Sequence, residues 1–170
     1  MTSAAALALV RACRDRAFLA TGDARWIWCT HDIRQPSPVR FSATRDFVLG
    51  KPPGRAVAKL FGDRRWQFFV NGARVGAGEQ RPGDRLQVFD VTSFLRRGAN
   101  RVSIQVESPS GAGGILFSLD PGGGQRAVVS DATWRIESAE GAAGVGPHAV
   151  LWGRPPMYPW GYPRLPEADR

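Results

Sequence analysis

The sequence predicts an all-β protein, a β-sandwich of two face-to-face sheets. Three observations predict it. Short stretches alternate apolar and polar residues with the period of a strand, as in "WQFFV", where Trp66, Phe68 and Val70 share one face and Gln67 and Phe69 the other. Turn signals recur between them at short intervals, from "KPPG" and "NG" to "RPGD" and "DPGG". The chain carries 20 Gly and 13 Pro in 170 residues, a usage suited to many turns rather than long helices.

Residues 3–20 are the one helix expected, since Ser3 can cap a run in which Leu7, Val10, Arg14 and Phe18 recur at helical spacing before Thr21-Gly22-Asp23 ends it. Strands follow at residues 25–30 ("RWIWCT"), 41–49 ("FSATRDFVL") and 56–61, with Gly62-Asp63 read as a bend. Residues 66–78 form a hairpin, because Asn71-Gly72 supplies the two positive φ angles of a tight turn. Leu86 to Asp90 is a further strand, Asp90 or Thr92 caps a single helical turn that runs to Gly98, and Val102, Ile104 and Val106 alternate inward along the next strand. Two strands surround the Pro121-Gly122 turn, and one more spans residues 133–136. The last segment, "HAVLWGRPPMYPWGYPRLPEADR", is too rich in Pro and aromatic residues to be regular, and is expected to lie across the sandwich surface. The organisation is therefore a helical segment at 1–22, a sandwich at 23–140 and a tail at 141–170, one domain in all.

Charge and cysteine content narrow the function. The net charge of +8 suggests a polyanionic partner, but the 23 basic residues are scattered along the chain instead of forming a stripe, which argues against nucleic acid. The two cysteines are read as free thiols. The N-terminal apolar run is not preceded by a basic segment and is followed by Arg11, Arg14 and Arg16, so it does not read as a signal peptide, and no run approaches the length of a membrane span. A cytoplasmic location, with no membrane partner, is the expectation.

Catalytic and metal chemistry find little support. Cys29 and His31 share a strand face, but Cys13 and His148 do not complete a zinc spacing. No nucleophile elbow is present, and the pieces "GAGG" and "GAAGVG" lack the features of a phosphate loop. Asp63 and Asp131 could be paired on paper as glycosidase carboxylates, yet these and most other acidic residues sit in turn contexts where a short acceptor side chain satisfies backbone N–H groups. No cofactor is expected. Trp26, Trp28, Trp66 and Trp134 fall in predicted strands and read as core. The tail aromatics Trp152, Tyr158 and Trp160 remain as candidate stacking surfaces for the C–H faces of a sugar, with Arg64, Arg65 and Asp131 near loop ends as polar contacts.

In their order, "RWIW", "FSATRDFVL", "FFVNGARVG", "FDVTSFLRRGANRVSIQV", "GGILFSL" and "VVSDATWRI" resemble the non-catalytic jelly-roll domains of bacterial α-L-rhamnosidases and related glycoside hydrolases. These are galactose-binding-like β-sandwiches. The resemblance spans residues 25–136, and the pair VNG-x-x-VG and DVT-x-x-L-x-x-G-x-N is its most specific part. It implies two antiparallel sheets, a structural calcium in some members, and a non-enzymatic role, either binding carbohydrate or bracing a glycoside hydrolase catalytic domain. The matched Asn71, Gly72, Gly76, Asp90, Thr92, Gly98 and Asn100 read as turn, cap and loop residues. The alternative is a protein–protein or self-association module that docks through the N-terminal helix and the aromatic tail.

Overall fold

The structure, a computed structural model, describes residues 21–30, 37–138 and 145–167. The expected helix at residues 3–20 lies outside them. Eleven strands are present among the described residues, and all the pairings between them are antiparallel. They are β1 (Trp26–Trp28), β2 (Val39–Leu49), β3 (Val57–Gly62), β4 (Arg64–Val70), β5 (Ala73–Gln80), β6 (Gln87–Asp90), β7 (Gly98–Ser108), β8 (Ile115–Asp120), β9 (Val128–Val129), β10 (Arg135–Ser138) and β11 (Val150–Gly153). One sheet runs β10-β2-β7-β4-β5, and the other runs β11-β1-β8-β3-β6 with β9 added to β8.

The two sheets pack into a sandwich because each strand buries one set of alternating side chains. Trp66, Phe68 and Val70 on β4 and Val102, Ile104 and Val106 on β7 meet Ala58 and Leu60 on β3 and Ile115, Phe117 and Leu119 on β8 in one apolar cluster. Aromatic edges tie the layers together. Phe68 lies 5.5 Å from Phe117, and Phe117 lies 5.3 Å from Trp134.

The two sequence motifs of the resemblance meet at one corner. Asn71 and Gly72 adopt φ values of 52° and 83°, the left-handed pair that closes a two-residue hairpin. The Asn71 amide donates to the Phe94 carbonyl and to Asn100 Oδ1, both at 2.9 Å, and its oxygen accepts from Arg101 N. Asn100 in turn clasps its own loop, accepting from Arg96 N and donating to the carbonyls of Arg96 and Gly98. Asp90 Oδ1 accepts from both N and Oγ1 of Thr92, at the head of the 3₁₀ turn Thr92–Phe94, while Thr92 Oγ1 accepts from Ala56 N across the strand pair. A corner stands at "DVT" as expected, but the N-cap of the turn is Val91, with no side-chain capping bond, in place of Asp90 or Thr92, and the turn ends at Phe94 rather than running to Gly98.

The chain departs from the expected bend at residues 62–63. β3 runs almost directly into β4, yet the two strands belong to different sheets, so the chain changes layer at Asp63. Gly62 permits this because a Cβ there would stand 2.6 Å from Cδ1 of Trp66.

The C-terminal segment is more regular than its composition suggests. β11 pairs with β1, so Val150–Gly153 continues the second sheet. An edge strand tolerates flanking prolines because only one of its two sides must present backbone donors, which is how a Pro-rich segment still enters a sheet. Beyond β11 the chain covers a second apolar cluster of Ala24, Trp26, Phe61, Leu86, Leu116 and Trp160. Phe61 and Leu116 alternate with core-facing Leu60, Ile115 and Phe117, so this cluster lies on the outer face of the second sheet.

Candidate functional site

The two outer faces of the sandwich are finished differently. That of the β11-β1-β8-β3-β6 sheet is overlaid by the C-terminal segment, whereas that of the β10-β2-β7-β4-β5 sheet is polar around Gln67 and Gln105 and is not overlaid by any other described residue. A trough of about 600 Å³ crosses this bare face. Its floor is formed by Gln67 on β4 and Gln105 on β7, directly opposite each other in register, with Ala77 of β5 beside Gln67.

One row of charges borders the floor. Glu107 stands opposite Arg65, and the row continues to Arg40 on one side and Glu79 on the other. Arg40 Nη2 lies 3.0 Å from Glu107 Oε1, Arg65 Nε lies 3.4 Å from Glu79 Oε2, and Arg81 reaches the second oxygen of Glu79. Hydrogen bonds from Arg65 and Arg81 hold the Glu79 carboxyl below its ordinary pKa. Arg74 closes the opposite end.

The trough depends on a β-bulge. The pairing shifts between Phe68 and Phe69, so that Phe68 faces Gly76 and Phe69 faces Arg74, with Val75 the extra residue packed against the core. The bulge puts Arg74 on the same face as Ala77 and Glu79. It also leaves glycine at the inward positions of β5, where neighbouring rings need the room: a Cβ on Gly76 would be 2.6 Å from Phe89, and one on Gly78 2.8 Å from Trp66.

The residues singled out in the sequence do not converge. Arg65 lines the trough. Arg64, one residue earlier and so on the other side of the pleat, sits 3.5 Å from Asp63 Oδ1. Trp160 is 7% exposed, stacks on Trp26 at 4.4 Å and donates from Nε1 to Asp63 Oδ2 at 2.8 Å, so its ring faces are occupied by the protein rather than presented to a ligand. Trp152 is half-buried against both apolar clusters. Tyr158 is 93% exposed, at the tip of a tight turn in which Met157 and Gly161 exchange backbone hydrogen bonds. Asp131 accepts from N and Oγ1 of Thr133 and lines a second hollow of about 710 Å³, together with Arg45, Lys59, Asp120 and Arg126.

The carboxylate pair weighed in the sequence is likewise divided. Asp63 is buried beneath Trp160, and burial raises its pKa above the ordinary value against the opposing pull of the Trp160 hydrogen bond and Arg64. Asp84, Asp90, Asp120 and Asp131 instead accept from nearby backbone N–H groups, as their turn contexts predict. Cys29 is a buried thiol whose pKa burial pushes up to about 12, unsuited to metal binding, while Cys13 and His31 lie outside the described residues. Among the described residues no cluster of three or more His, Cys, Asp or Glu side chains could hold a metal ion.

Gln67, Gln105, Arg40, Arg74, Glu79 and Glu107 were not legible as a site. In sequence they are ordinary polar positions on the solvent side of strands. The alternation that marks Trp66 and Val106 as inward marks Gln67 and Gln105 as outward, but only the register sets them opposite one another.

The fold and face define a two-sheet antiparallel sandwich with one covered and one open polar surface. Solved structures of the same fold are the GH78 family rhamnosidase of Bacillus sp. GL1 and the α-L-rhamnosidase of Streptomyces avermitilis complexed with L-rhamnose. The first has 21% identity and a TM-score of 0.71, the second 22% and 0.68. The match covers 85% and 83% of this chain but only 20% and 16% of theirs, so the chain corresponds to a small part of each enzyme. The lectin of Pleurotus ostreatus, solved in its apo form and in complex with GalNAc, is also similar, at 21% identity and a TM-score of 0.66 over 84% of this chain and 45% of the lectin. No protein-family model and no curated protein sequence matches the chain.

Proposed function

We propose that the chain is a non-catalytic carbohydrate-binding module, accessory to glycoside hydrolysis, that takes its sugar on the open face of the β10-β2-β7-β4-β5 sheet. The observation that carries this reading is the trough itself. Planar amide and guanidinium groups on rigid strands match the adjacent hydroxyls of a sugar ring, which present donors and acceptors at fixed spacing. The likeness to rhamnosidase structures, and to a lectin solved with GalNAc, supports a carbohydrate role.

The trough suits binding better than hydrolysis. A glycosidase needs one carboxyl with a raised pKa as acid and a second as base or nucleophile. Here hydrogen bonds from Arg65 and Arg81 hold Glu79 below its ordinary value, so it is not poised to donate a proton, and Glu107 is ion-paired with Arg40. With no exposed ring lining the trough, affinity should be weak, with Kd on the order of 1 mM or about 4 kcal/mol of binding free energy. Amide chemical-shift mapping against a panel of glycans tests the reading. Shifts confined to β4, β5 and β7 are expected, together with no release of reducing sugar. A panel without shifts would leave only the bracing role beside a catalytic domain. That second reading draws on Tyr158, whose exposed ring offers an aromatic anchor to a neighbouring domain.

A further inference from the structure

We propose that the trough selects an acidic sugar unit, one bearing a carboxylate or sulfate, with Arg74 as the anion anchor and Gln67 and Gln105 as readers of the flanking hydroxyls. This rests on the carbohydrate reading above and names the chemical class of its ligand.

The charge arrangement on the open face carries it. Three guanidiniums, Arg40, Arg65 and Arg74, line the trough against two carboxylates, Glu79 and Glu107. Both carboxylates are already engaged: Glu107 is paired with Arg40, and Glu79 with Arg65 and Arg81 together. Arg74 is thereby left over. No ion pair or hydrogen bond among the described residues holds its side chain, and none holds the side chains of Gln67 or Gln105. The trough thus combines one uncompensated guanidinium with two unengaged amides that face each other across β4 and β7.

The placement is built by the fold. The Asn71-Gly72 turn sets Arg74 opposite Phe69 on this face, and the bulge at Val75 brings Ala77 and Glu79 onto the same face beside it. Its planar fork presents donors that fit the paired oxygens of a carboxylate or sulfate. A neutral sugar would leave that charge unmatched, and the two carboxylates that line the trough are already paired with Arg40, Arg65 and Arg81. The second hollow is lined by three cations, Arg45, Lys59 and Arg126, and by three carboxylates, Asp23, Asp120 and Asp131, so its charges balance and it offers no comparable excess.

The test is titration of the full chain with oligogalacturonate, its fully methyl-esterified counterpart, dextran sulfate and dextran. Binding to oligogalacturonate or dextran sulfate, at least tenfold tighter than to the matching neutral polymer and falling as salt is raised, is expected. The carboxylate and sulfate arms identify which anion is preferred. Arg74→Gln should weaken acidic-glycan binding about tenfold, the size of one charge-assisted contact. Arg126→Gln, which removes the same charge from the second hollow, should leave it unchanged. Circular dichroism verifies that both variants fold. Equal binding of acidic and neutral glycans would overturn the inference while leaving the carbohydrate reading in place. Equal losses in both variants would reduce the effect to non-specific attraction and overturn it as well. Absence of binding to all four polymers would overturn both.

Discussion

Replacing Trp160 with alanine probes how firmly the C-terminal segment is part of the fold. The indole is 7% exposed, stacks on the fully buried Trp26 at 4.4 Å and an interplanar angle of 22°, and donates 2.8 Å to a carboxylate that has no other hydrogen bond. Truncating a buried Trp costs ~3–5 kcal/mol, and stranding a buried acceptor adds ~1–3 kcal/mol where water cannot replace the donor. Trp160 lies on an outer face, so its removal admits water to Asp63 and lets the segment shift. The expected loss is therefore near the lower figure, about 3 kcal/mol. For a domain of this length each kcal/mol lowers Tm by ~2–4 °C, giving a fall of about 9 °C. Trp160→Phe keeps most of the ring contact and loses the N–H, and should cost about 2 kcal/mol. Urea denaturation followed by far-UV circular dichroism measures both changes. A loss under about 1 kcal/mol for the alanine variant would refute the reasoning, since it would mean that the Trp26–Trp160–Asp63 contact is not maintained in solution.

Further outcomes follow from single contacts. Burial raises the pKa of Asp63, so the stability this group contributes is fully present below its unfolded value of 3.8 and is lost as pH rises through its folded value. Asp63→Asn keeps an acceptor for Trp160 and should therefore gain stability relative to the parent as pH rises above 3.8, measured as the difference in urea midpoint; a difference constant with pH would contradict it. Asn71→Ala removes three side-chain hydrogen bonds and places alanine at a φ of 52°, for a loss of about 3 kcal/mol in the same assay. Gly76→Ala forces Phe89 aside from 2.6 Å and should cost about 1–3 kcal/mol. Cys29, buried with a pKa near 12, should react with a thiol reagent at pH 8 only as fast as the fold opens, so labelling should accelerate with urea.

The sandwich was legible because its signals are local. Alternation named Trp66, Phe68, Val70, Val102, Ile104 and Val106 as inward, and all six are buried. Asn71-Gly72 and Asp90-Val91-Thr92 announced their turns through side-chain chemistry that acts within a few residues. What escaped depends on partners distant in sequence. The entry of residues 150–153 into a sheet is decided by the free edge of β1, which lies more than a hundred positions earlier. Trp160 carried the same aromatic signal whether it faced solvent or the core; only Trp26, Phe61 and the carboxylate of Asp63 decide that it turns inward.

The trough shows how little sequence separates a plain strand from a shaped surface. Were Val75 paired in regular alternation instead of bulged, the faces of β5 beyond Arg74 would exchange. Ala77 and Glu79 would turn toward the core, where Trp66 and Phe89 already fill the space, and Gly76 and Gly78 would line the outer face. The glycines and the bulge therefore depend on each other: the rings need glycine beneath them, and the bulge delivers glycine there while keeping Glu79 beside Arg65. Because Glu79 is kept on that face and occupied by Arg65 and Arg81, Arg74 remains without a carboxylate of its own. The charge left over on the open face is in this sense a product of core packing, one layer beneath it.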